Sequence, residues 1–250
     1  MRITRLYTPQ ALAVDSEIEL GPDGCRRLSQ VLRLQAGAEL LLFNGDGRDY
    51  PARLLRSDRR ACRVLVTGQG EPEGPPRLVI ELALGISRPE RMDLALQKAV
   101  ELGVSGIQPL LLAFCNQRQQ GDWREKKARH WRQIILSACE QSGRRWLPQL
   151  AQVTDLEGWL GQPPADGPEL GLDLVLDPGG GQTLADLSAP AAGRPIRLLV
   201  GPEGGLAADE IQACAKRGFS PIRLGPRVLR TETAPLAAIA ALQALWGDFC

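Results

Sequence analysis

The sequence predicts an α/β chain in two parts: a small β-barrel or sandwich, then a larger domain built on a mostly parallel sheet. Three observations carry that reading. Short apolar runs separated by turn residues give way to strands and helices in alternation. A glycine- and proline-rich stretch sits at the point of change. The later strands are continuously apolar, as strands covered on both faces must be. At 250 residues the chain can bury a core in each part without disulfide or metal staples.

In the first part, RITRLY, SEIEL, AELLLFNGDG, YPARLLRSD and ACRVLVTG read as strands, and NGDG (Asn44 to Gly47) is the strongest hairpin signal. One helix interrupts them from Asp23 to Leu34. It carries Leu28, Val31 and Leu32 on one face and Arg26, Arg27, Gln30 and Arg33 around the others. GQGEPEGPP (Gly68 to Pro76) is too rich in glycine and proline for the interior of an element. The domain boundary is placed there, with residues 1–70 as the barrel, 71–77 as linker and 78–250 as the second domain.

The second part opens with LVIELALGI (Leu78 to Ile86), a buried strand, and a helix from Arg88 to Leu102 closed by Gly103. VSGIQPLLLA is the next strand. Asp122 starts a long amphipathic helix reaching about Arg145, and TDLE (Thr154 to Glu157) reads as a capping box. LGLDLVLDP and RPIRLLVGP are two further buried strands, the second running into GPEGG and a helix from Ala208 to Arg217. PIRLG is the last strand, followed by PRVLRTETA and an apolar helix from Pro235 to Trp246. In such sheets ligands bind at the carboxyl ends of the strands.

Composition excludes several chemistries. A single histidine, His130, lies in the charged helical stretch REKKARHWRQ and reads as a surface residue, so Ser-His-Asp triads, zinc sites and haem ligation are poor fits and no metal is expected. Six scattered cysteines without a C-x-x-C pair read as reduced packing residues. No apolar run approaches the ~20 residues of a membrane span and the N-terminus has no signal-like segment, so a cytoplasmic protein with no membrane partner is expected. Net charge is +1, yet residues 1–63 hold 11 basic against 8 acidic side chains, 85–150 hold 11 against 6, and 151–250 hold 7 against 12. Of the 30 basic residues 26 are arginine, whose planar fork suits phosphates and bases. Nucleic acid is therefore a candidate partner, although GC-rich coding produces the same preference.

Three loops could carry chemistry. LLVGPEGG (Leu198 to Gly205) is a glycine-rich turn between a buried strand and a helix; it matches neither nucleotide-phosphate fingerprint, and Glu203 would repel an anion. LGPRVLRTETAP (Leu224 to Pro235) is a polar segment in the equivalent place after the next strand. A helix start capped by Thr231 or Thr233 explains its TET and leaves VLR unexplained. LDP (Leu176 to Pro178) ends a third strand, and the three ends could form one pocket. QKAVELG (Gln97 to Gly103) and SACEQSGRR (Ser137 to Arg145) read as solvated helix faces.

In order along the chain, ISRPERMDLALQKAVELGVSGIQPL, SACEQSGRRWLPQL, LLVGPEGGLAADEI and LGPRVLRTETAPLAAIAALQ closely resemble the ribosomal RNA small subunit methyltransferase E family, from Arg2 to Phe249. The resemblance implies an N-terminal PUA-like β-barrel that binds RNA and a C-terminal SPOUT α/β domain with a deep trefoil knot. It also implies a homodimer, and S-adenosylmethionine-dependent methylation of N3 of a uridine in 16S ribosomal RNA of the small subunit. Carried over by position, the S-adenosylmethionine pocket falls on Leu176 and Asp177, on Leu199, Val200, Gly201, Pro202, Glu203, Gly204 and Gly205, and on Leu224, Gly225, Val228, Leu229 and Arg230. One departure concerns the barrel helix: the family commonly has His-Leu-x-x-Val-Leu-Arg, where this chain has Arg27 in the histidine position.

Loss of the N3 proton leaves charge on uridine O2 or O4. Arg230 is the candidate that stabilises it, and Glu232 or water the proton acceptor. Arg2, Arg5, Arg27, Arg33 and Arg144 are the candidate RNA contacts, and Gly204 is expected to let backbone approach the ligand. Two other readings stay open: a SPOUT methyltransferase acting on a ribose 2′-hydroxyl or a tRNA base, and a non-catalytic RNA-binding assembly factor.

Overall fold

The computed structural model describes residues 3–58, 61–115, 122–162 and 171–249. It divides into two compact units: Met1–Pro75 with Leu136–Leu147, and Pro76–Ile135 with Pro148–Cys250. The division at Pro75 falls inside the expected linker. The return of Leu136–Leu147 to the first unit was not expected, because nothing in a helical repeat says which core its last turns will join.

The first unit holds five strands, β1 (Thr4–Tyr7), β2 (Glu17–Glu19), β3 (Glu39–Phe43), β4 (Tyr50–Ser57) and β5 (Cys62–Val66), in the order β1-β3-β4-β5-β2. β1 runs parallel to β3 and the other pairs are antiparallel. Alternation is clean: Tyr50, Ala52 and Leu54 of β4 face Cys62, Val64 and Val66 of β5 in the core, with Arg53 and Arg63 outside. Asn44–Gly47 makes the expected turn, tied by Asp46, whose carboxylate accepts from Arg48 N at 2.9 Å and Tyr50 OH at 2.7 Å.

The predicted barrel helix departs from its expected face. α1 (Pro22–Arg26) passes directly into a π-helical turn, Arg27–Val31. The wider turn rotates the following side chains off the α-helical stripe, so Leu28 is fully buried while Val31 is 68% and Leu32 40% exposed.

The second unit is a parallel sheet of β6 (Val79–Gly85), β7 (Gly106–Leu111), β8 (Gln149–Leu150), β9 (Thr154–Asp155), β10 (Leu172–Leu176), β11 (Pro195–Val200) and β12 (Ser220–Ile222). The order is β12-β10-β11-β6-β7-β8, with β9 also on β7, and every pairing is parallel. From β10 the chain moves to β11 on one side and then to β12 on the other. That reversal opens a crevice at the carboxyl ends of the strands.

Helices α2 (Pro89–Glu101), α3 (Trp123–Ser142), α4 (Leu156–Leu160), α5 (Ala208–Lys216) and α6 (Thr233–Trp246) complete the chain. α3 stops three residues short of Arg145, before Gly143 at φ +87°. Its SACEQ turn is no solvated face: Cys139 and Glu140 are buried, and the Glu140 carboxylate accepts from Tyr7 N at 3.0 Å and pairs with Arg27. In TDLE the helix cap is Asp155, accepting from Gly158 N at 2.7 Å; Thr154 is the last-but-one residue before the helix, in β9.

The buried Gln243 of α6 donates to Leu102 O at the end of α2 and accepts from Asp248 N, so its amide is satisfied. His130 is half exposed, 2.8 Å from Asp93, as a surface residue should be.

Candidate active site

A cavity of about 420 Å³ opens at the carboxyl ends of β10, β11 and β12. From the first loop Leu176 and Asp177 line it; Asp177 also closes its own turn by accepting from Gly179 N at 2.9 Å. From the second come Val200, Gly201, Pro202, Glu203 and Gly205. Leu199 does not reach it, because strand alternation turns that side chain into the core at 0% exposure.

Gly204 is not on the cavity wall either. A Cβ there would sit 2.6 Å from Phe114 Cβ, so the missing side chain makes room for a phenylalanine and its expected role in backbone approach to a ligand is not what the geometry shows. Gly205, at φ +74°, does face open space.

The Glu203 carboxylate lies beside a helix start and a cation. Its carboxylate accepts from Arg88 N at 2.9 Å, at the N-terminus of α2, where the helix dipole favours negative charge. Arg91, one turn into α2, lies 3.8 Å from Glu203 and 3.9 Å from Glu232 and lines the cavity. Sequence reading missed Arg91: it stands in ISRPERMD, and a helical wheel cannot say that a charge faces a loop more than 100 residues later.

The third loop supplies Leu224, Gly225, Val228, Leu229 and Arg230. Among the described residues, none of the backbone N–H groups of Leu224, Gly225, Val228, Leu229 and Arg230 has a partner in the chain. They are left for water or a ligand. Thr231 is 7% exposed and donates its hydroxyl to Gly201 O at 2.9 Å, fastening the third loop to the second. It is therefore not the helix cap; Glu232 holds that position, and its side chain faces Arg91 without lining the cavity. Arg230 lines the cavity and is exposed, with no carboxylate in ion-pair distance among the described residues.

The comparisons with known proteins cover nearly the whole chain. The RNA methyltransferase domain family matches residues 74–243, and the RNA methyltransferase PUA domain family matches 28–67. Ribosomal RNA small subunit methyltransferase E of Buchnera aphidicola subsp. Schizaphis graminum is 33% identical over 99% of this chain and 98% of its own. The chain belongs to the ribosomal RNA small subunit methyltransferase E family.

Two solved structures share the fold at full length. A methyltransferase from Legionella pneumophila with S-adenosylmethionine bound superposes with a TM-score of 0.92 at 36% identity, covering 99% of this chain and 100% of that one. A small subunit methyltransferase E from Neisseria gonorrhoeae bound to S-adenosylmethionine gives 0.90 at 36%, covering 100% of each. The family member described here is thus an N-terminal PUA-like domain followed by a C-terminal SPOUT methyltransferase domain.

Its expected RNA-binding arginines fare differently. Arg2 lies outside the described residues. Arg5 is held in the first unit: its guanidinium binds Asp49 at 2.6 Å, Cys139 O at 2.8 Å and Arg144 O at 3.2 Å, and stacks 4.6 Å over Phe43. Those contacts leave its side chain 10% exposed. Arg27, in the family's histidine position, pairs with Glu140, and burial lowers its pKa from the usual guanidinium value. Arg144 is half-buried, its carbonyl held by Arg5. Arg33 stands exposed at φ +52°, just beyond the π turn.

Burial pushes the Cys25, Cys139 and Cys214 thiols up to about 11, so they are neutral near pH 7.

Proposed function

We propose that this chain methylates N3 of a uridine in 16S ribosomal RNA of the small subunit, using S-adenosylmethionine held at the three strand ends. The observation that carries the reading is the cavity itself, built from three loops at a topological switch point in a chain that matches the family from end to end.

The residues fit such a ligand. About 420 Å³ lies in the range of small-molecule sites, with Leu176, Val200, Ile222 and Leu229 as apolar walls and the free N–H groups of the third loop as donors. Gly205 and Gly225 sit at φ +74° and +77°, and a Cβ on either would meet nothing within 4 Å. Bound there, S-adenosylmethionine supplies a sulfonium-activated methyl group. Leu176, Val200 and the backbone of Gly225 to Arg230 would hold it.

On the uridine side, Arg230 lines the cavity with no carboxylate in ion-pair distance among the described residues, which suits an oxygen gaining negative charge as N3 loses its proton. Glu232 faces Arg91 away from the wall, so the proton is assigned to water. RNA contact in the first unit is assigned to Arg33, the exposed member of the predicted set among the described residues. A ribose 2′-hydroxyl or tRNA substrate, or a non-catalytic role, gains no support from any observation here.

The test is nucleoside mass spectrometry of ribosomal RNA from a strain lacking the gene. Loss of N3-methyluridine alone is expected, and loss of a ribose methylation instead would overturn the assignment.

We further propose a cytoplasmic homodimer. No described helix is long and apolar enough to cross a membrane. On α6, Ala237, Ala241, Ala244 and Leu245 share one face at helical spacing, and Leu245 is 46% exposed, so an apolar strip is left open. Sedimentation at micromolar concentration should give twice the 27.1 kDa chain mass; a species of 27.1 kDa would refute the dimer.

A further inference from the structure

Phe114 follows β7 by three residues, and because every pairing in the sheet is parallel it emerges on the same edge as the loops of the cavity. It is 46% exposed. Isolated exposed apolar residues are ordinary, but this one is held. Ala113 N donates to Glu210 of α5 at 2.8 Å, Cys115 N to Leu112 O at 3.0 Å and Leu112 N to Cys115 Sγ at 3.3 Å. Two of these bonds close the turn that carries the ring on itself, and the third ties it to α5.

The ring also abuts the second cavity loop where that loop lacks a side chain: a Cβ on Gly204 would lie 2.6 Å from Phe114 Cβ and 3.1 Å from its Cγ. Gly204 is flanked by Glu203 and Gly205, both on the cavity wall.

We propose that Phe114 is the platform on which the target pyrimidine stacks, a base-binding subsite beside the methyl-donor cavity. The assignment rests on the uridine-N3 reading above. N3 lies in the middle of the Watson–Crick edge, so it can be methylated only when the uridine is unpaired, and an extruded base loses stacking worth a few kcal/mol. A rigid aromatic face returns part of that stacking and leaves the edge free. Phenylalanine offers a π face and no hydrogen bond, so it holds the base without competing for N3.

The experiment measures methyl transfer from labelled S-adenosylmethionine to unmodified small subunits by Phe114→Ala, Phe114→Leu and Phe114→Tyr, with cofactor affinity, melting temperature and sedimentation taken for each. Stacking predicts that Ala and Leu both lose about 5- to 150-fold in kcat/KM for RNA, while Tyr stays within a few-fold of the unsubstituted chain. Cofactor affinity is expected to be unchanged in all three. Should Ala not fold, the contrast between Leu and Tyr decides the matter.

Full activity in Phe114→Leu would overturn the assignment, since an apolar shape would then suffice. A loss of cofactor affinity matching the loss of activity would make the ring a prop for the Gly204 loop, and a changed sedimentation would place it in a subunit interface; either overturns it. If the unsubstituted chain forms no N3-methyluridine on small subunits, the wider reading fails and takes this assignment with it, a result distinct from the other three.

Discussion

Arg230→Ala is expected to lower methyl transfer by on the order of 10²-fold or more while leaving the protein folded and able to bind S-adenosylmethionine within a few-fold. The argument starts from what Arg230 does not do. A structural arginine would be paired with Glu203 or Glu232, but Arg91 of α2 stands between those carboxylates, at 3.8 and 3.9 Å. Glu203 has a second partner in Arg88 N. Removing the Arg230 side chain therefore orphans no described carboxylate, and the backbone of Arg230, which accepts from Thr233 N and Ala234 N to start α6, is untouched.

An interaction that strengthens as charge grows on the substrate lowers turnover when lost and has less effect on ground-state affinity. Calorimetry, thermal melting and single-turnover methylation on one preparation separate the possibilities. Near-normal turnover would remove Arg230 from the reaction, and a collapsed fold would make it structural.

Arg5→Ala is expected to cost about 1–3 kcal/mol of stability, because two charge-assisted hydrogen bonds to carbonyls are lost while Asp49 retains a cationic partner. The Arg5 and Asp49 side chains are 10% and 16% exposed. Alanine strips the donor from the carbonyls of Cys139 and Arg144 and removes the cation stacked on Phe43, while Asp49 keeps Arg145 at 3.0 Å. The loss should be read by urea unfolding of the full chain. RNA affinity measured against salt under folding conditions should keep its slope. A variant as stable as the unsubstituted chain, with a log–log slope reduced by roughly 0.7–0.9, would return Arg5 to the RNA interface.

The contrast between these two arginines shows where sequence reading succeeds. Both are charged residues beside apolar runs, and in the sequence both suggested contact with a ligand. Arg230 sits in a loop after a buried strand, and strand ends are legible from the apolar run and the turn residues that close it. Arg5 sits in a strand with neighbours 44, 134 and 139 residues away. No local pattern distinguishes an arginine left free from one captured by carbonyls at the far end of a helix that begins at Trp123. Gly204 teaches the same point: GPEGG marks a loop where backbone comes close to something, and only the fold shows that at Gly204 it is Phe114.

By itself the sequence marked most of the longer strands and helices and the three loops that meet at the cavity, because periodicity and turn chemistry act over a few residues. It also missed locally where the helical geometry changed, as in the π turn that leaves Val31 exposed. Tertiary structure alone decided the return of Leu136–Leu147 to the first unit, the place of Arg91 between two glutamates, the capture of Arg5 by the carbonyls of Cys139 and Arg144, and the burial of Glu140. The physical reason is that a charge or a glycine takes its meaning from the atoms it touches. Here those atoms belong to segments from 44 to more than 100 residues away, brought together by burial of apolar faces that are not specific to any one partner.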